Sequence, residues 1–254
     1  MSDFYENYLK VCQSAVDDDE VFKNFKSHCD YTLVLEHVKS YEGLDYYLTI
    51  KKEFPYLLQF MEKFATNDNI GNPKRFFYEE IGIEISPTTL RYIKVLADLL
   101  NLFGRLDNMD IVEIGGGYGG QCKIICDFSE PKSYTLVDRH EVLLLNEKYL
   151  KCYDVKNVIF REVDDESENH YDLCISNYAF SEVPRPYQNR YAEKIIKNSD
   201  RGYMTCNIFG NGSPDELMAR EDIFALKSGY RVIPEVPITA VNNFIYMWDD
   251  TFGE

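Results

Sequence analysis

One glycine-rich run, at residues 110–121, constrains the fold of this chain more than any other feature. It reads Asp-Ile-Val-Glu-Ile-Gly-Gly-Gly-Tyr-Gly-Gly-Gln. The β-branched run that ends at Ile114 is suited to a buried parallel strand. The glycines let the backbone turn sharply and approach a ligand, and the apolar spacing of residues 122–126 indicates a helix. The run therefore predicts a strand, a glycine turn and a helix N-terminus that attracts a polar or negative group.

A single acidic residue, Asp138, closes the next apolar run, Tyr-Thr-Leu-Val-Asp, at residues 134–138. It lies 21 positions after Gly117. At the tip of a second strand, a carboxylate can accept hydrogen bonds from both hydroxyls of a ribose. The strand, the turn, the helix and the spaced Asp together predict that the chain binds an adenosine-containing cofactor.

Two descriptions of the turn remain, and they imply different cofactors. Gly115, Gly117 and Gly120 satisfy G-x-G-x-x-G, the fingerprint of nicotinamide and flavin sites. The run from Glu113 to Gly119, with glycine at alternate positions, is instead typical of class I S-adenosylmethionine (SAM) methyltransferases. Dinucleotide folds usually begin close to this strand, whereas about a hundred residues precede it here. This placement favours the second description.

Composition excludes several classes of partner. The chain has 254 residues, 45% of them hydrophobic, which is enough for a substantial core. Its net charge of −16 disfavours nucleic acid and anionic membranes, because both attract clustered Lys and Arg. No apolar run approaches the roughly 20 residues of a membrane-spanning helix, and the first residues do not resemble a signal peptide. The seven Cys form no Cys-x-x-Cys pair, so we expect reduced thiols in a cytoplasmic protein.

Strand and helix patterns alternate from residue 110 onward. The predicted strands are 110–114, 133–138, 157–163, 171–176, 202–208, 230–236 and 243–248. The predicted helices between them cover about 118–128, 141–150, 186–198 and 214–227. This alternation predicts an α/β, Rossmann-like fold with a mostly parallel, seven-stranded sheet and helices on both faces. Only residues 237–242 separate the last two strands, too few for a crossover helix, so the last strand should run antiparallel. That is the strand arrangement of class I methyltransferases.

The residues before the glycine run form a second region. Residues 3–66 predict several helices, one of which includes a helical apolar face at residues 33–38. Residues 67–86 are rich in turn formers and aromatics and predict an ordered loop. We therefore predict a helical cap on the substrate side at residues 1–104 and a SAM-binding domain at residues 105–254.

Three motifs together narrow the family. They read Glu-Ile-Gly-Gly-Gly-Tyr-Gly-Gly at 113–120, Tyr-Thr-Leu-Val-Asp at 134–138 and Ile-Ser-Asn-Tyr-Ala-Phe-Ser-Glu at 175–182. In this combination the chain resembles the sugar O-methyltransferases of bacterial polysaccharide gene clusters, over about residues 67–250. Relatives often carry Leu-Pro after the Asp of the second motif, whereas this chain has Arg-His.

The resemblance and the placement of the turn agree on the donor side of the site. Gly115, Gly117 and Gly119 are predicted to accept the methionine portion of SAM. Glu113 would orient the turn or reach the amino group through water, and Asp138 would hold the ribose.

Residues after the third and fourth strands extend this prediction. Asp164 or Asp165 would accept from the adenine amino group, unless both belong to a solvated acidic turn. Asn177 ends the fourth strand, where ligands bind in open α/β sheets, and would face the ammonium or methyl group of SAM. Tyr178 would pack on the sulfonium as a cation–π partner or form part of the wall.

Two residues are candidates for a general base. Glu182 lies just past a strand tip, where its carboxylate would take the proton of an acceptor hydroxyl as the methyl group arrives. The alternative is that Glu182 caps the following helix. His140 is the rival base, because an imidazole titrates near neutral pH. An acceptor that is already an anionic phosphoryl oxygen needs no base.

A few residues are candidates for substrate binding in this acidic chain. They are Arg75, Tyr78, Arg91 and Arg185. The arginines would receive a phosphate of a nucleotide-linked or phosphorylated acceptor, and independent surface charges are the alternative. No His, Cys and carboxylate residues stand at metal-ligand spacing, so the sequence predicts no metal site.

The sequence therefore predicts a SAM-dependent O-methyltransferase of capsule or surface-polysaccharide biosynthesis. The acceptor oxygen would belong to a sugar or to a sugar-linked group such as a phosphoramidate. Three alternatives stay open: an N-methyltransferase acting on an amino sugar, a nicotinamide (NAD) oxidoreductase, and a non-catalytic SAM-binding partner subunit. The oxidoreductase is disfavoured because no Tyr-x-x-x-Lys or equivalent follows the glycine run. The sequence does not set the acceptor or the oligomeric state.

Overall fold

The computed structural model of the protein describes residues 3–165, 169–207 and 217–253. The chain divides into two compact units. The first consists of Met1–Leu106, Gly117–Glu130 and His140–Lys156, and the second of Asp107–Gly116, Pro131–Arg139 and Asn157–Glu254. The first break, after Leu106, is close to the predicted 104/105 boundary. Two later segments, Gly117–Glu130 and His140–Lys156, nevertheless group with the N-terminal residues. The helices in these two segments pack against the N-terminal helices.

Helices make up most of the first unit. They are α1 (Asp3–Asp17), α2 (Asp19–Asn24), α3 (Cys29–Thr32), α4 (Ser40–Glu53), α5 (Met61–Ala65), α6 (Pro87–Phe103), α7 (Gly120–Phe128) and α8 (His140–Lys151). Short 3₁₀ turns cover Phe25–Ser27, Pro55–Phe60 and Thr66–Asp68. The segment predicted as an ordered loop contains an antiparallel hairpin of β1 (Phe76–Tyr78) and β2 (Ile83–Ile85). Within the described ranges, no helix has the length and apolar character to cross a bilayer.

The predicted helical face at residues 33–38 is wrong. The structure ends α3 at Thr32, places a turn at residues 33–36 and has no regular structure at 37–39. The spacing of apolar residues is helical, but the segment instead brings Leu35 against the glycine turn. A Cβ on Gly117 would lie 3.0 Å from Cδ1 of Leu35. Spacing alone does not distinguish a helix face from a turn whose side chain packs on a distant segment.

Two adjacent residues, Asn67 and Asp68, form a buried polar hub in the first unit. The Asp68 carboxylate accepts hydrogen bonds from the Ser86 backbone N at 2.5 Å and from Thr89 Oγ1 at 2.7 Å. Ser86 is the N-cap of α6, so the carboxylate reinforces the start of this helix. Asn67 donates through Nδ2 to the Tyr118 hydroxyl at 2.9 Å. The hub therefore also ties down the glycine turn, which contains Tyr118.

The second unit is built on a sheet of seven strands. They are β3 (Asp110–Ile114), β4 (Ser133–Val137), β5 (Val158–Arg161), β6 (Tyr171–Asn177), β7 (Ser199–Cys206), β8 (Arg231–Pro234) and β9 (Phe244–Asp249). Their spatial order is β5-β4-β3-β6-β7-β9-β8. Strand β9 runs antiparallel to β7 and β8, and the other neighbours pair in parallel. The antiparallel last strand is confirmed, and it lies inside the sheet rather than at its edge. This is the Rossmann-like sheet of class I methyltransferases.

In the described part of the second unit, three helices follow the strands. They are α9 (Ala179–Glu182), α10 (Arg185–Lys194) and α11 (Arg220–Phe224). The predicted helix at 186–198 gives way to a 3₁₀ turn at Ile196–Asn198. The one predicted at 214–227 is shorter, and residues 214–216 lie outside the described residues.

The single Trp is a central part of the core of the second unit. Trp248 of β9 is 1% exposed and donates through Nε1 to the Ser199 carbonyl at 3.0 Å. Its ring lies over Gly202 of β7, where an added Cβ would come within 2.0 Å of the indole. The Trp248 ring therefore fits against β7 because Gly202 has no side chain.

Candidate active site

Three parallel strands end at the same level at one edge of the sheet. The register aligns the last residue of β3 with Val137 of β4 and with Ser176 of β6. The residues that come next, Gly115, Asp138 and Asn177, therefore lie together at the carboxyl edge. Open α/β sheets bind their ligands at this edge. The structure thus brings together three of the predicted cofactor-binding residues.

Gly115 begins the turn, and only glycine fits its surroundings. Its φ is +81°, and its backbone N donates to the Val137 carbonyl at 3.0 Å. An added Cβ would lie 2.1 Å from Cβ of Ala179. Gly117 and Gly119 also have left-handed φ values of +57° and +90°. The contribution of Ala179 was not foreseen from the sequence, although a small residue just after a strand tip is a fair signal of close packing.

Glu113 is buried at the base of the turn, with 2% of its surface exposed. Its Oε2 accepts a hydrogen bond from the Tyr134 hydroxyl at 2.8 Å. Burial raises the pKa of Glu113 to about 8, helped by the nearby charge of Asp138 and opposed by the bond from Tyr134. Because this bond joins β3 to β4, it supports the predicted role of Glu113 in orienting the turn.

Asp138 lies at the tip of β4, where the sequence predicted the ribose contact. Its Oδ1 accepts from the Arg139 backbone N at 2.8 Å, and its own N donates to the Arg161 carbonyl of β5 at 3.3 Å. The carboxylate is thus fixed by the local backbone. His140, the rival base, is the exposed first residue of α8 and belongs to the first unit. Its role stays a prediction.

Asn177 and Tyr178 share an unusual environment at the end of β6. Both the Nδ2 and the Oδ1 atoms of Asn177 are buried, and neither has a hydrogen-bond partner in the described part of the chain. Burying an amide without partners costs about 1–3 kcal/mol. Tyr178 has a φ of +67°, which is uncommon for a residue with a side chain. Such features concentrate at functional sites.

The Tyr178 ring is anchored at its far end by a carboxylate. Its hydroxyl donates to Oε1 of Glu235, which is 7% exposed. The other carboxylate oxygen accepts from Thr239 Oγ1 at 2.7 Å and from Asn243 Nδ2 at 3.0 Å. The sequence analysis missed this cluster. Its only local signal is one carboxylate between two prolines in the connection that follows β8.

Glu182 is the exposed last residue of α9, close to the carboxyl end of β7. Its Oε1 accepts from Nδ2 of Asn207 at 2.5 Å, and Asn207 directly follows β7. Ser181 supports the same amide through a 2.7 Å bond from its Oγ to Oδ1 of Asn207. The sequence also allowed Glu182 to cap the following helix. In the structure the N-cap of α10 is Pro184, so Glu182 does not occupy that position. Asn207 is a further site residue that sequence reasoning did not identify.

The two acidic residues predicted to contact adenine have protein partners. Asp164 forms an ion pair with Arg190, with 2.9 Å between the carboxylate and Nη1. Asp165 accepts from the Glu162 backbone N at 3.1 Å within a turn. Both carboxylates are exposed, and a contact with adenine stays a prediction for either of them.

The predicted substrate-binding residues are distributed over both units. In the second unit, Arg185 pairs with Asp222 at 2.7 Å. In the first, Arg75 is exposed before β1, and Arg91 is 8% exposed on α6. Tyr78 is buried and donates to a carbonyl at the start of α4 at 3.1 Å, and burial raises its pKa to about 12. A role in substrate binding stays a prediction for all four.

One trio of potential metal ligands lies on the surface of the first unit. The ligand atoms of His28, Cys29 and Asp30 are all within 4.8 Å of one another. His28 Nδ1 already accepts from the Asp30 backbone N at 3.3 Å and so caps α3. The spatial proximity of the trio follows from three consecutive positions at a helix start, and we assign it no ion.

Comparison with solved structures finds chains of similar backbone. An rRNA methylase from Streptococcus thermophilus aligns with a TM-score of 0.45 and 15% identity, over 62% of this chain and 95% of that one. The methyltransferase domain of bacterial CtHen1 gives 0.45 and 14%, over 63% and 97% of the two chains. EvdMO1 gives 0.48 and 15%, over 76% of this chain and 46% of that one. Neither a family model nor a curated protein sequence matches the chain, so the resemblance to sugar O-methyltransferases stays a prediction.

Proposed function

We propose that the chain is a SAM-dependent methyltransferase. The observation that carries the proposal is the Asn177 amide, buried at the carboxyl edge of the sheet with no hydrogen-bond partner among the described residues. Buried polar groups in proteins are nearly always hydrogen-bonded. An unsatisfied amide beside a glycine turn and a strand-tip Asp is explained by a polar ligand that binds there.

Each donor-side residue has a defined part in holding this ligand. The glycine turn leaves room for the methionine portion, and Asp138 binds the ribose hydroxyls. Asn177 faces the ammonium or methyl group, and Tyr178 packs on the sulfonium. When bound, SAM supplies a methyl group that an acceptor atom displaces in line. The protein therefore has mainly to align the acceptor and exclude water.

The sheet supports SAM over a dinucleotide. Strand β9 lies antiparallel between β7 and β8, and an ordinary dinucleotide-binding domain lacks this inserted strand. The motif at the turn satisfies both fingerprints, so strand order is the feature that separates them. An oxidoreductase would also need a hydride-transfer site, and no Tyr-x-x-x-Lys follows the glycine run.

Glu182 is the proposed general base. Asn207 holds its carboxylate at the same edge of the sheet as the donor-side residues of the second unit. An exposed carboxylate there accepts the proton of an acceptor hydroxyl as the methyl group is transferred. With an anionic phosphoryl oxygen as acceptor, Glu182 would orient the substrate instead.

The proposed acceptor is an oxygen of a sugar or a sugar-linked group used in capsule or surface-polysaccharide synthesis. The resemblance of residues 113–120, 134–138 and 175–182 to sugar O-methyltransferases supports this class. The net charge of −16 disfavours an RNA acceptor, because phosphate backbones bind clustered Lys and Arg. An amino-sugar nitrogen remains the alternative acceptor within the same chemistry.

Calorimetry distinguishes SAM, the proposed cofactor, from a nicotinamide dinucleotide. The chain should bind SAM and S-adenosylhomocysteine with one site each and should give no heat with NADH. Binding of NADH but not of SAM would overturn the proposal. Binding of SAM without methyl transfer to any sugar, nucleotide-sugar or phosphoramidate acceptor would favour a non-catalytic partner subunit.

A paired substitution tests the base. Glu182→Gln should lower the methyl-transfer rate by about 10²–10⁴-fold and leave SAM affinity unchanged. Glu193→Gln is the matched control, because Glu193 is an exposed carboxylate on α10 that pairs with Lys197. If Glu182→Gln transfers methyl groups at the rate of the parent chain, Glu182 is not the base.

A further inference from the structure

The Tyr178 side chain runs along the carboxyl edge of the sheet, from the end of β6 to the end of β8. Strand β8 has the same direction as β6 and β7, because β7 and β8 are both antiparallel to β9. Glu235 directly follows β8, and Tyr178 directly follows β6. The hydrogen bond from the Tyr178 hydroxyl to Oε1 of Glu235 therefore joins two strand ends at this edge, within the second unit.

The backbone of Tyr178 is fixed beside the first glycine of the turn. Its N donates to the Thr205 carbonyl of β7 at 2.8 Å. The next residue, Ala179, is the one that an added Cβ on Gly115 would meet at 2.1 Å. Tyr178 keeps a left-handed φ of +67°, and such strain persists only where the surroundings over-determine it. The side chain is thus held at both of its ends, next to the unsatisfied amide of Asn177.

Glu235 brings a negative charge to the hydroxyl end of the Tyr178 ring. Its Oε2 accepts from the backbone N and the Oγ1 of Thr239 at 3.0 and 2.7 Å, and from Nδ2 of Asn243 at 3.0 Å. These donors are neutral, so they orient the carboxylate without cancelling its charge. Because Glu235 is only 7% exposed, solvent weakens its field less than that of a surface charge.

A hydrogen bond from a phenol to a carboxylate changes what the aromatic ring attracts. Hydrogen bonds inside a protein polarise the groups that they join, so the phenol oxygen and its ring gain negative character. The face of the ring then attracts a cation more strongly, because the cation–π interaction is electrostatic. A neutral group on the same face gains little from this change.

We propose that Glu235 is a positioning residue for the methyl donor and acts on its sulfonium through Tyr178. This inference rests on the proposed function, in which the Tyr178 ring packs on that sulfonium. The charged donor SAM gains from the pair of residues. The product S-adenosylhomocysteine does not, because its sulfur is a neutral thioether. Glu235 thereby favours binding of the donor over retention of the product.

The test compares SAM with S-adenosylhomocysteine, which differ only in the methyl group and its positive charge. Calorimetry gives the affinity for SAM divided by that for S-adenosylhomocysteine. Glu235→Gln should lower this ratio about three- to tenfold, which is part of the strength of one cation–π interaction. Glu221→Gln, an exposed carboxylate on α11 of the same unit, is the matched control and should leave the ratio unchanged.

A second variant tests the proposal even if Glu235→Gln disturbs the fold. Tyr178→Phe retains the ring and removes the hydroxyl through which Glu235 acts, so it should lower the ratio by the same factor. The double variant should lower it no further, because the two residues act as one unit. A second drop of equal size in the double variant would show that Glu235 does not act through Tyr178.

A purely structural role of Glu235 gives a different result. It would weaken both ligands together and leave their ratio unchanged, which overturns the proposal, as does an unchanged affinity for both. If the parent chain binds neither SAM nor S-adenosylhomocysteine, the proposed function has failed. If the parent binds both and the ratio responds to neither Glu235→Gln nor Tyr178→Phe, only the role of Glu235 has failed.

Discussion

Two buried carboxylate side chains, Glu113 in the second unit and Glu36 in the first, differ in the hydrogen bonds that they accept. Glu113 in the second unit accepts from the Tyr134 hydroxyl at 2.8 Å. The Oε1 of Glu36 in the first unit accepts from no residue that the structure describes. A fixed donor stabilises a buried carboxyl, whereas a buried carboxylate oxygen without a donor costs free energy.

Burial raises the pKa of both carboxyls, for the same physical reason. Desolvation disfavours the charged form of a carboxyl, and the pKa of Glu113 reaches about 8. For Glu36 the nearby Lys26 opposes the rise in pKa. For Glu113 the hydrogen bond from Tyr134 opposes it.

The largest expected effect comes from a substitution at Gly115, on the strand side of the glycine turn. Gly115→Ala should lower the free energy of unfolding by about 3 kcal/mol or more, because it adds a left-handed strain to a 2.1 Å overlap with Ala179. Gly82→Ala has a similar φ of +77° and no described atom within 4 Å of the new Cβ. It should lose only about 1 kcal/mol. Urea unfolding measures both, and equal losses would contradict the packing at Gly115.

The next largest effect concerns the protonation of Glu113, which differs between the folded and the unfolded chain. Between the unfolded pKa near 4.5 and the folded pKa of about 8, the folded chain keeps a proton on Glu113 that the unfolded chain has lost. The stability of the parent chain therefore falls as pH rises through this window and levels off above it. Glu113→Gln has no proton to lose there.

This variant should consequently gain roughly 3–4 kcal/mol relative to the parent between pH 5 and pH 8.5. Unfolding in urea at a series of pH values measures the gap. A gap that does not change with pH means that Glu113 is ionised in the folded chain.

Removing the partner of Glu113 should have a smaller effect. Tyr134→Phe leaves the buried carboxyl without its donor and should lower the free energy of unfolding by about 1–2 kcal/mol. The bond from Tyr134 opposes the rise in the Glu113 pKa, so the variant should also titrate at higher pH. Tyr230→Phe, in the same unit, is a control that leaves Glu113 untouched, because Tyr230 is 38% exposed. If both variants unfold alike, the 2.8 Å bond contributes nothing to stability.

The smallest effect has opposite signs in the free and the bound chain. Asn177→Leu replaces an unsatisfied amide with an apolar group of similar size, and it should raise the free energy of unfolding of the free chain by about 1 kcal/mol. The same change should weaken SAM binding, because it removes a polar contact with the ligand. Thermal unfolding with and without S-adenosylhomocysteine measures both. A variant destabilised in the free chain would show that the amide is already satisfied.

The sequence predicted the sheet well because its strands are buried runs that end in distinctive residues. The predicted strand 110–114 matches β3 residue for residue. Asp138 and Asn177 lie at strand tips because parallel strands put their carboxyl ends at one edge. These features depend on local patterns and on the regular geometry of parallel pairing.

The partners that fix the site were not predictable, because they come from distant segments. Glu235 contacts Tyr178 across 57 positions of the chain, and Asn207 contacts Glu182 across 25. The turn at residues 33–36 has a helical spacing of apolar residues and yet is irregular. Nothing local marks these residues, since each acquires its role only when the fold brings it to its partner.

The central claim is that the glycine turn and the carboxyl edge bind SAM, and a crystal structure of the chain with S-adenosylhomocysteine tests it most directly. The ligand should lie with its amino-acid tail on the turn at Gly115 and Gly117 and with both ribose hydroxyls on Asp138. A crystal grown with saturating S-adenosylhomocysteine that shows no ligand on the turn, or a competing soak that shows a nicotinamide dinucleotide in that place, would contradict it.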